Sequence, residues 1–237
     1  MEFTKLNAPS LKELFVQELE TLILSGKLEI GEKLPSERNL ADSMQVSRAV
    51  VNSGITELAR KGFLIIKPRV GTFVADYRRN GTMDTLRSIM NYNGGILREA
   101  EIRSILELRI ALDTLAIQLW LPRASNEEIH RMRGFTEEIK TTSSITNASE
   151  LAFQFQHELA FLSGNTLIPL IFSSFKVPVI SLWERFCKLY GIEELYKNND
   201  KLCHYFENHD VEQAIAWIAA SIQDTIKGNR LIYFREQ

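Results

Sequence analysis

Apolar residues recur at helical spacing from Ser10 onward: Leu11, Phe15, Leu19 and the pair Leu22/Ile23 share one face, and the pattern stops at Ser25-Gly26. After a turn over Leu28 to Gly31, the run Leu34-Pro35-Ser36 places Ser36 as the N-cap of a short helix carrying Leu40, Ala41 and Met44. A break at Gln45-Val46 and a second cap, Ser47, open a third helix with Val51, Ile55 and Leu58 on one side, closed by Gly62. The period then drops to about 2. Phe63 to Ile66 is a strand, Lys67 to Gly71 a turn, and Thr72 to Val74 a second strand. Two short helices joined by a tight turn and followed by a hairpin are the layout of a winged helix-turn-helix.

Asp76 to Thr82 is polar and contains Asn80-Gly81, which reads as a linker. Beyond Met83 only helical patterns occur, over about 84–92, 98–121, 125–141, 149–163, 167–190, 193–207 and 210–230. The predicted architecture is therefore mainly α. A winged helix-turn-helix with a small β-hairpin wing spans residues 1–75, and a linker follows over 76–83. An antiparallel all-helical bundle of six to seven helices fills 84–237. A chain of 237 residues suits two unequal domains at about 150 residues per domain.

Composition narrows the function classes. Apolar residues are 45% and charged residues 24%, so both units can build real cores. A net charge of −2 and a pI near 6.1 give no whole-chain hint of a nucleic-acid partner. The regional balance does: Lys33 to Arg79 holds nine cations against four acids. Two cysteines, Cys187 and Cys203, lack CxxC spacing, which argues against a disulfide framework or a zinc ribbon. The opening MEFTKLNAPS has no basic segment followed by an apolar run, so no signal peptide is expected, and the apolar stretch 167–183 is interrupted by Ser173, Ser174, Lys176 and Pro178. A cytoplasmic protein without membrane partners is expected. No HExxH, GxSxG or P-loop motif supports an enzyme.

Arg38 and Arg48 fall in the first turns of their helices, where the dipole disfavours a cation by roughly 0.3–1 kcal/mol. A phosphate held at the same N-terminus by Ser36, Ser47 and free backbone N–H groups would compensate, and arginine forks suit phosphate or guanine. The plain alternative is that Glu37 neutralises Arg38. In the wing, Lys67 and Arg69 flank Gly71, whose lack of a side chain allows a tight tip from which a cation enters the minor groove.

The segment GEKLPSERNLADSMQVSRAVVNSGITELARKGFLIIKPRVGTFV resembles the GntR family of bacterial regulators, through Leu34-Pro35-Ser36-Glu37-Arg38, Val46-Ser47-Arg48, Leu58 with Gly62, and Gly71-Thr72-Phe73-Val74. The resemblance implies a homodimer that places two recognition helices in a pseudo-palindromic double-stranded DNA operator. It implies DNA contacts from Ser36, Arg38, Ser47, Arg48, Lys67, Arg69, Gly71 and Thr72. One departure stands out. Where the family usually has Val-Arg-Glu-Ala, this chain has Val51-Asn52-Ser53-Gly54, so the second recognition arginine has become Asn52, which pairs bidentately with adenine. Gly54 costs about 1 kcal/mol of helix propensity relative to alanine.

The second half resembles the all-helical sensor domain of the FadR subgroup through Glu107-Leu108-Arg109-Ile110-Ala111-Leu112-Asp113, and through Phe155, His157-Glu158-Leu159-Ala160 and Ser163-Gly164-Asn165. Many relatives hold a divalent metal there with one aspartate and three histidines. The matching positions in this chain are Ala152, Gln156, Asn199 and Ser221, so no metal or other cofactor is expected. His157 is one position off, a rotation of about 100° on a helix. Arg109 matches an arginine near the ligand pocket of relatives, and its partner is either a ligand carboxylate or Asp113 at i+4. If it meets a ligand, Gln156, Asn199 and Ser221 form a neutral polar lining. Trp217, Phe153, Phe155, Phe172 and Phe175 are candidate walls or plain core. The expected function is a repressor whose operator affinity responds to a small organic acid. An acyl-CoA effector of the FadR type, or metal-dependent binding, is the alternative.

Overall fold

The computed structural model describes residues 9–92 and 99–233, and the chain divides into two compact units, Met1–Gly94 and Gly95–Gln237.

In the first unit α1 spans Leu11–Leu24 behind a capping box: Ser10 Oγ accepts from Glu13 N at 3.2 Å and Glu13 Oε2 accepts from Ser10 N at 2.7 Å. Both predicted serine caps form. Ser36 Oγ accepts from Asn39 N at 3.2 Å to open α2 (Glu37–Met44), and Ser47 Oγ accepts from Val50 N at 3.3 Å to open α3 (Arg48–Arg60). Gln45, with φ of 52°, makes the left-handed turn between them. The wing is the antiparallel pair β1 (Leu64–Lys67) and β2 (Gly71–Val74), in register from Leu64↔Val74 to Lys67↔Gly71. Phe15, Leu19, Val51, Ile55, Leu58 and Phe63 are buried together as its core, each contributing about 1.5–3 kcal/mol.

Gly54, a poor helix former by propensity, has a packing reason. A Cβ there would overlap Phe15 Cδ1 and lie 2.7 Å from Cε1, and the Phe15 ring is itself fully enclosed. Its absence lets α1 and α3 approach closely, a contact between positions far apart in sequence. Gly54→Ala is therefore expected to destabilise the protein by about 1–2 kcal/mol despite its better propensity, because overpacking outweighs the gain. Shortening the ring in Gly54→Ala/Phe15→Leu should recover part of the loss in urea denaturation; a single mutant more stable than wild type would refute the close approach.

Residues 76–83, expected as a linker, are built into the first unit. Asp76 caps α4 (Tyr77–Asn80) and Thr82 caps α5 (Met83–Asn91), so the division falls near residue 94. Gly62, at φ +80°, has no room for a Cβ because Asn80 O would be 2.6 Å from it. Thr85 Oγ1 donates to Lys61 O, Ser88 Oγ donates to Glu20 at 2.9 Å, and Arg60 pairs with Asp84 at 2.6 Å. A polar run with Asn80-Gly81 reads locally as a linker; the partners that anchor α5 behind it lie 24 and 68 residues away.

The second unit comprises α6 (Glu99–Trp120), a short 3-10 turn (Leu121–Arg123), α7 (Asn126–Thr141), α8 (Ile145–Leu162), α9 (Ile168–Ser174), α10 (Lys176–Tyr190), α11 (Ile192–Glu207) and α12 (Val211–Lys227). The first predicted helical residue of this unit, 98, lies outside the described residues. α8 packs against α6, α7, α9 and α10, while α12 packs on α6 and α11. The one helix predicted over 167–190 is two. Pro178 has no N–H for Ser174 O, and its ring would press on that carbonyl, so the helix breaks at Phe175 and Pro178 falls in the first turn of α10.

Candidate DNA-reading surface and effector cavity

On α3 the residues Val51, Gly54, Ile55 and Leu58 face the core, which leaves Arg48, Asn52 and Thr56 in line on the exposed side, one turn apart. No acid stands in the first turn of α3, and among the described residues no ion pair or side-chain hydrogen bond engages Arg48. Ser36 and Ser47 use their oxygens as cap acceptors, and their hydroxyl protons stay available to a phosphate. Arg38 meets Asp42 at 3.9 Å with both side chains more than 70% exposed, a contact worth almost nothing. Glu37, which the alternative reading paired with Arg38, is elsewhere: its Oε1 accepts from Asn52 Nδ2 at 3.3 Å.

The wing gathers more charge than expected. Lys67 Nζ lies 4.8 Å and Lys33 Nζ 6.0 Å from the centre of the Phe73 ring. Lys33 precedes the wing by more than thirty positions, and its bridge to Phe73 brings it there. Gly71 stands at φ +138°, a backbone conformation that side chains rarely adopt, and the flexible end of Lys33 packs over it. Arg69 occupies the tip at φ +63°, where Val70 N donates to Lys67 O at 3.0 Å. Thr72 pairs with Ile66 and its carbonyl accepts from Leu34 N.

In the second unit a small cavity of about 40 Å3 lies among α6, α10, α11 and α12. Three of the four predicted effector residues line it: Arg109, Asn199 and Ser221. Around them stand Trp183, Trp217 and an apolar wall that includes Leu182, Phe186, Leu202 and Ile222. Ile232 closes one side, held there because Arg185 donates to Ile232 O at 3.0 Å and Tyr233 O at 2.8 Å. Gln156 lines a smaller hollow of about 10 Å3 that shares Arg109, Ile105 and Val179 with the first, and Phe172 and Phe175 line it too. Phe153 and Phe155 line neither; they stack on His157 and Phe206.

Arg109 has the partner that i+4 spacing allowed. Its Nε donates to Asp113 Oδ2 at 3.0 Å, Gln156 Nε2 approaches Asp113 Oδ1 at 3.5 Å, and the guanidinium lies 4.6 Å from the Trp183 ring. Burial pushes the Arg109 guanidinium down and the Asp113 carboxyl up from their usual ranges, against their mutual attraction. Both terminal guanidinium nitrogens remain for another acceptor. Two further donors around the cavity, Trp183 Nε1 and Asn199 Nδ2, are buried without a partner, as is Gln156 Oε1. Each such atom costs about 1–3 kcal/mol unless something satisfies it.

The residues at the family's metal positions do not fit a metal. Ala152 has no donor, and Gln156, Asn199 and Ser221 offer only weak neutral ones. His157 is turned onto Ser173 Oγ at 2.8 Å and Pro169 O at 3.2 Å. His204 bonds Asn208, His209 bonds Leu121 O, and Cys203 bonds Thr136. Among the described residues no group of three histidines, cysteines or acids converges. No described helix is long and apolar enough to cross a membrane.

Comparison with known proteins agrees with this layout. Residues 11–74 match the bacterial regulatory proteins of the gntR family, and residues 104–224 match the FCD domain. The chain is 23% identical over 225 residues to the transcriptional regulator LutR of Bacillus subtilis, covering 91% of this chain and 99% of LutR. It is 35% identical over 101 residues to the regulator Mce2R of Mycobacterium tuberculosis, 43% of this chain and 42% of that one. It is 28% identical over 154 residues to the fatty acid metabolism regulator of Shewanella pealeana, 65% and 63% of the two chains. A solved structure of Lar, which controls expression of the Listeria monocytogenes agr system, superposes with a TM-score of 0.63 at 15% identity, over 93% of this chain and 96% of Lar, and so shares its fold. A winged helix-turn-helix followed by an FCD ligand-binding domain makes this chain a member of the GntR family of bacterial transcription regulators.

Proposed function

We propose that the protein is a cytoplasmic homodimer, without catalytic activity, that reads a pseudo-palindromic operator and releases or tightens on it when a small carboxylate binds beside Arg109 in the helical domain. DNA is held by Ser36, Arg38, Ser47 and Arg48 at two helix N-termini, by Asn52 on the exposed face of α3, and by Lys67, Arg69, Gly71 and Thr72 in the wing, with Lys33 added. The observation that carries the effector assignment is the excess of donors without acceptors: the free nitrogens of Arg109, with Trp183 Nε1 and Asn199 Nδ2, surround one apolar cavity. A carboxylate with an apolar body satisfies both halves of that lining, and Ser221 supplies a further hydroxyl. No metal is needed to bind it.

An acyl-CoA is favoured less, although one relative is a fatty acid metabolism regulator. Its nucleotide end carries several phosphates, and Arg109 is the one cation in the described lining. A thermal-shift screen across small monocarboxylates, acyl-CoAs and divalent cations separates these. A carboxylate at about 100 times its Kd should stabilise the protein by about 2.7 kcal/mol, roughly 5–10 °C, and change the emission of Trp183 and Trp217. Stabilisation by a divalent cation alone would refute the metal-free site, and a tight carboxylate that leaves operator affinity unchanged would refute the sensing role.

A further inference from the structure

We infer that Glu37 is a specificity-positioning residue: it fixes the amide of Asn52 so that this recognition-helix side chain presents one orientation to the operator. The inference rests on the proposal that α3 reads base edges, and goes beyond it by assigning a role to a residue outside the contact set.

Asn52 stands on the exposed face of α3, one turn after Arg48, and Glu37 is the first residue of α2. They are 15 residues apart, and their side chains meet because the left-handed turn at Gln45 folds α2 against α3. The contact is N–H to carboxylate, Asn52 Nδ2 to Glu37 Oε1 at 3.3 Å. Its chemistry settles the amide: an ionised carboxylate only accepts, so the NH2 end of Asn52 must face Glu37. An isolated exposed asparagine has no such preference and flips freely. With one N–H committed, Asn52 keeps its second N–H and its Oδ1. That donor and acceptor pair matches adenine N7 and N6, the bidentate edge contact open to asparagine.

A carboxylate facing a DNA-reading surface also repels phosphate, so its presence there needs a benefit. Neutralising Arg38 is not that benefit, because Arg38 pairs loosely with Asp42 instead. Orienting Asn52 is. Removing the carboxylate should therefore raise affinity for duplex DNA of any sequence slightly while erasing one element of preference.

The test is selection from a randomised duplex pool by the full-length protein, run in parallel with Asn52→Ala, Glu37→Ala and Glu37→Gln. Wild type should enrich one sequence, and Asn52→Ala should lose preference at one position in each half-site. Glu37→Ala should lose about tenfold in discrimination at that same position and keep the rest of the site. Glu37→Gln, which retains an acceptor oxygen, should restore part of it. A Glu37→Ala protein that selects the wild-type base at that position overturns the inference, as does one whose only change is a uniform rise in affinity. If wild type enriches no sequence, the base-reading proposal itself fails and takes the inference with it.

Discussion

Arg109→Leu is expected to destabilise the helical domain by about 3–5 kcal/mol. Asp113 is 1% exposed, and beyond Arg109 it has only the long contact from Gln156. Removing the guanidinium strands a buried carboxylate, which is far worse than removing both charges. The loss should depend on pH in a definite direction. Without Arg109, burial raises the folded-state pKa of Asp113 further above its unfolded value, so the carboxyl is tolerated when protonated and its penalty grows as pH rises from about 4 toward neutrality. The gap between variant and wild type in urea denaturation should thus be smaller at pH 4 than at pH 7. Arg109→Leu/Asp113→Leu should recover most of the stability. A single variant as stable as wild type at pH 7 would show that the pair has other support.

Arg48→Ala is expected to weaken binding to the selected operator by about 1–3 kcal/mol, some 5- to 150-fold, and to reduce the slope of log K against log salt by about 1. Arg48 is exposed, sits in the first turn of α3 and has no intramolecular partner among the described residues, so its fork is free for DNA. For the same reason its removal should leave folding stability within about 0.5 kcal/mol. Fluorescence anisotropy across a salt series measures both the affinity and the slope. Unchanged affinity would remove Arg48 from the interface; a drop in affinity with an unchanged slope would assign it to something other than an ionic contact.

Much of the first unit was legible in the sequence because its signals are local. Ser10, Ser36 and Ser47 each cap a helix by accepting from a residue three positions on, and the wing announces itself by a change of period around Gly62 and Gly71. The i+4 alternative for Arg109 was legible in the same way. Gly54 and residues 76–83 read differently from sequence and structure for one reason: a helix breaker and a polar run carry no record of what they will touch. Phe15 fills the space left by Gly54, and Asn80 packs on Gly62.

The sequence by itself determined the order of elements, the capped N-termini that carry Arg38 and Arg48, and the residue types at Asn52, Ala152, Gln156, Asn199 and Ser221. These follow from residue identity and from contacts within one turn of helix or one hairpin. Tertiary structure alone decided the rest. It brought Lys33 to the wing, turned Glu37 from Arg38 to Asn52, set Gln156 behind Asp113, and left Trp183 and Asn199 as unsatisfied donors around one cavity. Those contacts join residues from 15 to more than 40 positions apart, and only the packing of whole helices, driven by their apolar faces, determines which distant side chains meet.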